Sequence, residues 1–155
     1  MLLSFVVIVL VFLLDQGSKY AVDVLVNSPI EVTSFFRIVK VWNTGVSFSM
    51  FNDYGSIGRY ALIIFALAVV LFLLHWMWRE KNTAKRICLA MIVGGALGNV
   101  ADRAYVGAVM DFLDFHYRDL HWPAFNVADT FICLGAFLLI YLEVFYKKKK
   151  GLKNA

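Results

Sequence analysis

The sequence predicts an all-α polytopic membrane protein of four transmembrane helices, with a small extracytoplasmic β-sheet segment between helices 1 and 2. Its 155 residues are 61% hydrophobic and only 17% charged, against roughly 45–50% and 25% in an ordinary soluble domain. The apolar residues are gathered into blocks, several of them approaching the ~20 residues that a helix needs to cross a bilayer core. The basic residues collect on alternate connections, as the positive-inside rule requires. Little chain is left for a separate soluble domain, so residues 1–155 are read as one membrane domain.

The first block, Leu2 to Leu14, is uncharged and ends at Asp15. Its length also suits a signal-peptide core, but no Lys or Arg precedes it and Asp15-Gln16-Gly17-Ser18-Lys19 is a poor cleavage site. An uncleaved helix over 3–26 is expected, with Lys19 snorkelling or paired internally. The second span, 58–79, holds the run Tyr60 to Trp78, broken only by His75. The third, 86–103, contains Gly94, Gly95, Gly98 and Asn99; its weaker hydropathy suits a helix surrounded by other helices. The fourth, 125–146, carries Glu143 near its end. Cys88 and Cys133 lie inside apolar blocks and are read as small hydrophobes, not as a disulfide or metal site.

Orientation follows from charge. Arg79, Lys81, Lys85 and Arg86 face Glu80 alone between spans two and three, and the tail, 147–155, holds Lys147 to Lys150 and Lys153. Both read as cytoplasmic, and the lysine run reads as a membrane anchor, not a nucleic-acid site. The outward segment, 27–57, and the outward loop, 104–124, carry near-balanced charge. Within the former, Ile38, Val39, Val41 and Trp42 precede the turn signal Asn43-Thr44-Gly45, which predicts a short sheet. Phe35, Phe36, Trp42, Phe48 and Phe51 are placed to lie at the membrane interface.

Ionisable residues near hydrocarbon are costly and mark function. Asp15 and Lys19, four apart on one helix face, read as a local ion pair. Asn99, Asp102 and Arg103 collect on the final turn of the third span, after a Gly94-x-x-x-Gly98 step that admits a close neighbour. Asn126 and Asp129 are readable as a helix cap or as a site. Asp111, beside Phe112, has no comparable local explanation. If the intervening loop folds back, Asp111 and Asp129 form a carboxyl pair that shares a proton, supplying a general base and a general acid. His75, His116 and His121 are spread over opposite sides, which speaks against a metal site. Ser47 or Ser49 with Lys40 is a conceivable serine–lysine pair that nothing marks as activated.

Taken in order, Asp15-Gln16-x-x-Lys19, Asn43-Thr44-Gly45-x-x-Phe48-Ser49, Gly94-Gly95 to Asp102-Arg103, Val109-x-Asp111-Phe112 and Phe125-Asn126-x-Ala128-Asp129 resemble the lipoprotein signal peptidase (signal peptidase II) family over nearly the whole chain. The resemblance implies an aspartic endopeptidase that removes the signal peptide from diacylglyceryl-modified prolipoproteins, cutting before the lipidated cysteine. Asp111 and Asp129 match the catalytic pair; Asn43, Gly45, Asn99, Arg103 and Asn126 match substrate-cleft positions; Asp15, Lys19 and Asp102 look structural. It implies no metal, no cofactor and no nucleic acid, membrane lipids and a lipid-modified prolipoprotein as partners, and a monomer in the bacterial inner membrane with both termini cytoplasmic. One departure is Asn43-Thr44-Gly45-Val46-Ser47, where many members carry alanines after the glycine; it bears on substrate fit. The rival readings are a proton-coupled carrier subunit and an assembly factor docking through the Gly94/Gly98 face.

Overall fold

The structure, a computed structural model, describes residues 1–45, 55–118 and 120–151. Expectations for Val46, Ser47, Phe48, Ser49, Phe51 and Lys153 lie outside these residues, as do those for the side chains of Lys147 to Lys150. The elements run α1 (Leu2–Leu25), β1 (Ile30–Thr33), β2 (Phe36–Asn43), α2 (Gly55–Arg79), α3 (Thr83–Tyr105), β3 (Val109–Tyr117), β4 (Leu120–His121) and α4 (Val127–Gly151). All four helices are long and apolar enough to cross a membrane. The first continues unbroken through Asp15 and Lys19, because both side chains find partners inside the bundle.

The third helix is the hub, packing on each of the other three. Its most apolar 18-residue stretch is 56% buried, against 22%, 17% and 17% for α1, α2 and α4. Leu89 and Val93 are wholly enclosed, against Val70, Leu73 and Met77 of α2 and Leu139 of α4. Lipid is as apolar as these side chains, so burial alone does not drive helix association; van der Waals packing and close approach do. Glycine supplies the approach. A Cβ on Gly95 would stand 2.5 Å from the Ala128 carbonyl oxygen of α4, and one on Gly94 would stand 2.9 Å from the Ile8 carbonyl oxygen of α1. Asn82 starts this helix by accepting from the backbone N–H groups of Ala84 and Lys85.

At the other end, Gly107 adopts φ +96° and its N–H donates to the Asp102 carbonyl (3.2 Å), a left-handed stop that glycine takes without strain. Arg59 of α2 donates to the Ala104 carbonyl (2.6 Å), adding a cation at the negative end of the helix dipole. The chain then turns directly into β3.

The sheet expected between helices 1 and 2 is present as β1 and β2, and it is larger than that. Residues 104–124, read from sequence as a loop, contribute β3 and β4, completing an antiparallel sheet of order β1-β2-β3-β4. The sequence of β3, VMDFLDFHY, hides the strand because its aspartates interrupt the apolar run. Pairing of Val41 with Asp111 and of Asn43 with Val109 sets the register. Met110 and Phe112 of β3 pack with Val22 and Val26 of α1, seating the sheet on the bundle. Phe125 then bonds back to Leu113 in both directions (2.8 and 3.1 Å), which delivers Asn126 and α4 beside β3.

Candidate active site

Asn126 lies between the two aspartates. It is fully buried, and its Nδ2 donates to Asp111 Oδ1 (2.7 Å). Its Oδ1 accepts from the Asp129 N–H (2.9 Å), and its own N–H donates to Asp129 Oδ2 (3.3 Å). This is a reciprocal cap at the start of α4. The two readings of Asn126 and Asp129, cap and site, therefore describe the same atoms. The cap orients Asp129 while the same amide reaches across to Asp111.

Each carboxyl has a second amide partner. Asn43, at the end of β2, donates to Asp111 Oδ2 (3.0 Å), and the N–H of Gly45 donates to Asn43 Oδ1 (3.2 Å), fixing that amide. Asn99 of α3 donates to Asp129 Oδ1 (2.8 Å). Burial pushes the Asp111 carboxyl above its ordinary value and the charge of Asp129 pushes it the same way; the Asn43 and Asn126 donors and the charge of Lys19 offset this only in part. The charge of Asp129 thus reaches Asp111 across the site.

Behind this pair stands a buried ionic network. Lys19 donates to Asp15 Oδ2 (2.8 Å) and Asn99 Oδ1 (3.0 Å) and forms an ion pair with Asp102 (2.7 Å). Gln16 donates to Asp102 Oδ1 (2.9 Å). Asp15 Oδ1 accepts from the Ala128 N–H (2.9 Å), so a residue of α1 caps α4. A Cβ on Gly98 would collide with the Asp15 carboxylate, so that position admits the acid only while it lacks a side chain. The ammonium thus compensates two buried carboxylates, and through Asn99 it sets the amide that holds Asp129.

Arg103 follows Asn99 by one helical turn and donates weakly to its carbonyl (3.5 Å). The charges of Asp129, Asp111 and Asp102 bear on its guanidinium, and its buried Nε has no partner among the described residues. All the residues singled out from sequence, Asp15, Lys19, Asn43, Gly45, Asn99, Asp102, Arg103, Asp111, Asn126 and Asp129, come together at the sheet end of the bundle. Lys40, the cation of the serine–lysine alternative, is engaged by Asp23 (3.0 Å).

Sequence reasoning placed Gln16 in the Asp15-Gln16-x-x-Lys19 motif but gave it no role; here it bonds Asp102. Arg59 was missed, and no signal pointed to it. A second cluster was missed as well. His75 stays apart on α2, but His116 and His121, both in the outward loop and dismissed with it as a metal set, are cross-strand partners with rings 5.1 Å apart. They adjoin Asp114, which takes a 2.5 Å bond from Arg37 Nε and lies 3.1 Å from His121 Nδ1. Burial would raise the Asp114 carboxyl, but bonds from Arg37 and His121 and their charges outweigh it and hold it below its ordinary value.

Comparison with known proteins extends these observations. A family model described as signal peptidase (SPase) II matches residues 7–145. The lipoprotein signal peptidase of Aeromonas hydrophila is 45% identical over 148 residues, spanning 92% of this chain and 87% of that protein. That of Pelagibacter ubique is 36% identical over 152 residues, spanning 96% and 91%. A bacterial membrane enzyme solved by the in meso method at 2.3 Å resolution superposes with a TM-score of 0.81 at 25% identity, covering 93% of this chain and 88% of that one. A second, at 1.9 Å, shares the fold with a TM-score of 0.83 at 24% identity, covering 94% of each.

Proposed function

The chain belongs to the signal peptidase II family, a multi-pass peptidase of the bacterial inner membrane, and from that premise we propose that it is an aspartic endopeptidase built on Asp111 and Asp129. Its substrates are diacylglyceryl-modified prolipoproteins, cut just before the lipidated cysteine. It acts as a monomer without metal or cofactor, with both termini cytoplasmic and the aspartates near the outer leaflet, where the substrate's acyl chains reside.

The observation that carries this reading is the bridge of Asn126 between two carboxyls, one of them 4% exposed and pushed towards its protonated form. Two such carboxyls do not ionise together, and a shared proton equips the site with an acid and a base at once. Asp129 takes a proton from a water whose oxygen attacks the carbonyl carbon of the scissile bond. Asp111 donates its proton to the departing nitrogen as the carbon–nitrogen bond breaks. The products are the signal peptide carboxylate and a lipoprotein with a free cysteine amine. Arg103, whose buried Nε has no partner among the described residues, and Asn99 hold substrate carbonyls, and Asn43 and Gly45 border the bound peptide. Asp15, Lys19 and Asp102 position these groups and do not touch substrate.

Purified protein incubated with a diacylglyceryl-modified prolipoprotein releases the signal peptide, and Asp129→Asn lowers the rate by about 10³-fold or more while remaining folded and membrane-inserted. Cleavage persists in a chelator. Substantial activity in a folded Asp129→Asn protein would sink the carboxyl pair.

A further inference from the structure

We infer that Asp114, His116 and His121 form a binding site for a divalent transition-metal ion of the zinc type, separate from the aspartate pair. The backbone builds it. Asp114 and His116 are two residues apart on β3 and so project from one face of the strand. His121 faces His116 directly across the β3–β4 pair. One carboxylate oxygen and one nitrogen from each imidazole lie within 4.8 Å of one another.

The donor set fits the ion. Zinc is bound by imidazole nitrogen and carboxylate oxygen, and three protein donors leave one position for water. His116 Nδ1 is buried without a hydrogen-bond partner among the described residues, an unsatisfied polar atom beside two other donors. Arg37 Nε donates to Asp114 Oδ2 (2.5 Å), and His121 Nδ1 lies 3.1 and 3.2 Å from the two carboxylate oxygens and 3.5 Å from Arg37 Nη2, so an ion held by Oδ1 takes the place of the contact between this carboxylate and the imidazole. Holding a ligating carboxylate from its far oxygen is what orients such ligands. The nearby guanidinium opposes a second cation, and Glu31, 3.9 Å from both Arg37 and His116, supplies a compensating negative charge. Bound metal ties the short strand β4 to β3.

The test uses the full-length chain in detergent, with Zn²⁺ competed against a chromophoric chelator. One Zn²⁺ binds per chain. His121→Ala, at a partly exposed position, removes a ligand and weakens binding by on the order of 100-fold or more, beyond the ~10–100-fold that losing an outer partner costs. His116→Ala does the same, and His121→Cys, which restores a donor, retains binding within about tenfold. Co²⁺ gives visible absorption bands of an imidazole-ligated ion that vanish in His121→Ala. Asp111→Asn binds Zn²⁺ normally although it does not cleave, so failure of the metal site and failure of the peptidase reading are told apart. Equal binding by wild type and the His116→Ala/His121→Ala double variant overturns the inference, as does loss of binding only on substitution of Asp111 or Asp129.

Discussion

Strand β3 carries two aspartates three residues apart, and they are buried to nearly the same degree, Asp111 at 4% and Asp114 at 5% exposure. Their proton affinities nevertheless move in opposite directions. Asp111 is met by neutral amides and by a second carboxyl, so nothing opposes burial strongly. Asp114 is met by a guanidinium and an imidazole, which reverse the effect of burial. Asp111 lies deeper from solvent, so burial prevails there, whereas Asp114 sits close beneath the surface and its charged partners prevail. One end of the strand thereby becomes fit to hold a proton for chemistry, and the other to hold a fixed negative charge.

The largest effect that breaks this contrast is Asp111→Asn, which replaces the carboxyl proposed to share a proton by an isosteric amide. Cleavage falls by about 10³-fold or more. The pH dependence of stability changes with it. In the wild type the folded state keeps the Asp111 proton above the pH at which the unfolded chain has lost it, so this group makes stability fall as pH rises from the ordinary carboxylate range through the raised folded value. Thermal unfolding across pH, measured in detergent, loses that slope in the variant.

Next in size is Lys19→Met, which leaves Asp15 and Asp102 without their cation. Breaking a buried pair in this way costs about 3–5 kcal/mol, read as a large drop in the thermal midpoint with weakened cleavage in whatever remains folded. Asp15→Asn is milder, causing a partial loss of activity mainly through stability; a fully inactive but well-folded Asp15→Asn protein would instead assign Asp15 a direct role. Gly95→Ala pushes α4 away from α3 at Ala128 and costs about 1–3 kcal/mol, with cleavage reduced because Asp129 is displaced with its helix. Smallest is Asp114→Asn, which costs about 1 kcal/mol or less because Arg37 is partly solvated. Its sign is the mirror of Asp111. Wild-type Asp114 contributes stability that is present above the ordinary carboxylate range and lost as pH falls through the depressed folded value, so the variant is less sensitive to acid.

Much of the site was readable locally. The Asp15–Lys19 pair follows from spacing of four on a helix, and the Asn126–Asp129 cap follows from spacing of three at a helix start. The weak hydropathy of α3 correctly marked a helix that faces other helices. The contacts that join these pieces were not readable. Lys19 reaches Asn99 and Asp102 across 80 residues or more of chain, and Asp15 caps a helix that begins far beyond it. The strand β3 was missed because Asp111 and Asp114 lower its apolar score, and both are tolerated there only by partners from other elements. That His116 and His121 face each other was not readable either, because it depends on the register of β3 against β4.

By itself, then, the sequence determined the four apolar helices, the alternation of charge between their connections and the chemical types gathered at their ends, because hydropathy and helical spacing are properties of short stretches of chain. Only the tertiary structure decided which carboxyls meet, which amide lies between them and which aspartate of β3 is driven towards its proton. Those outcomes depend on helices brought close at Gly94, Gly95 and Gly98 and on the register of β2 against β3. They depend also on the removal of water that packing alone accomplishes, after which single nearby charges dominate.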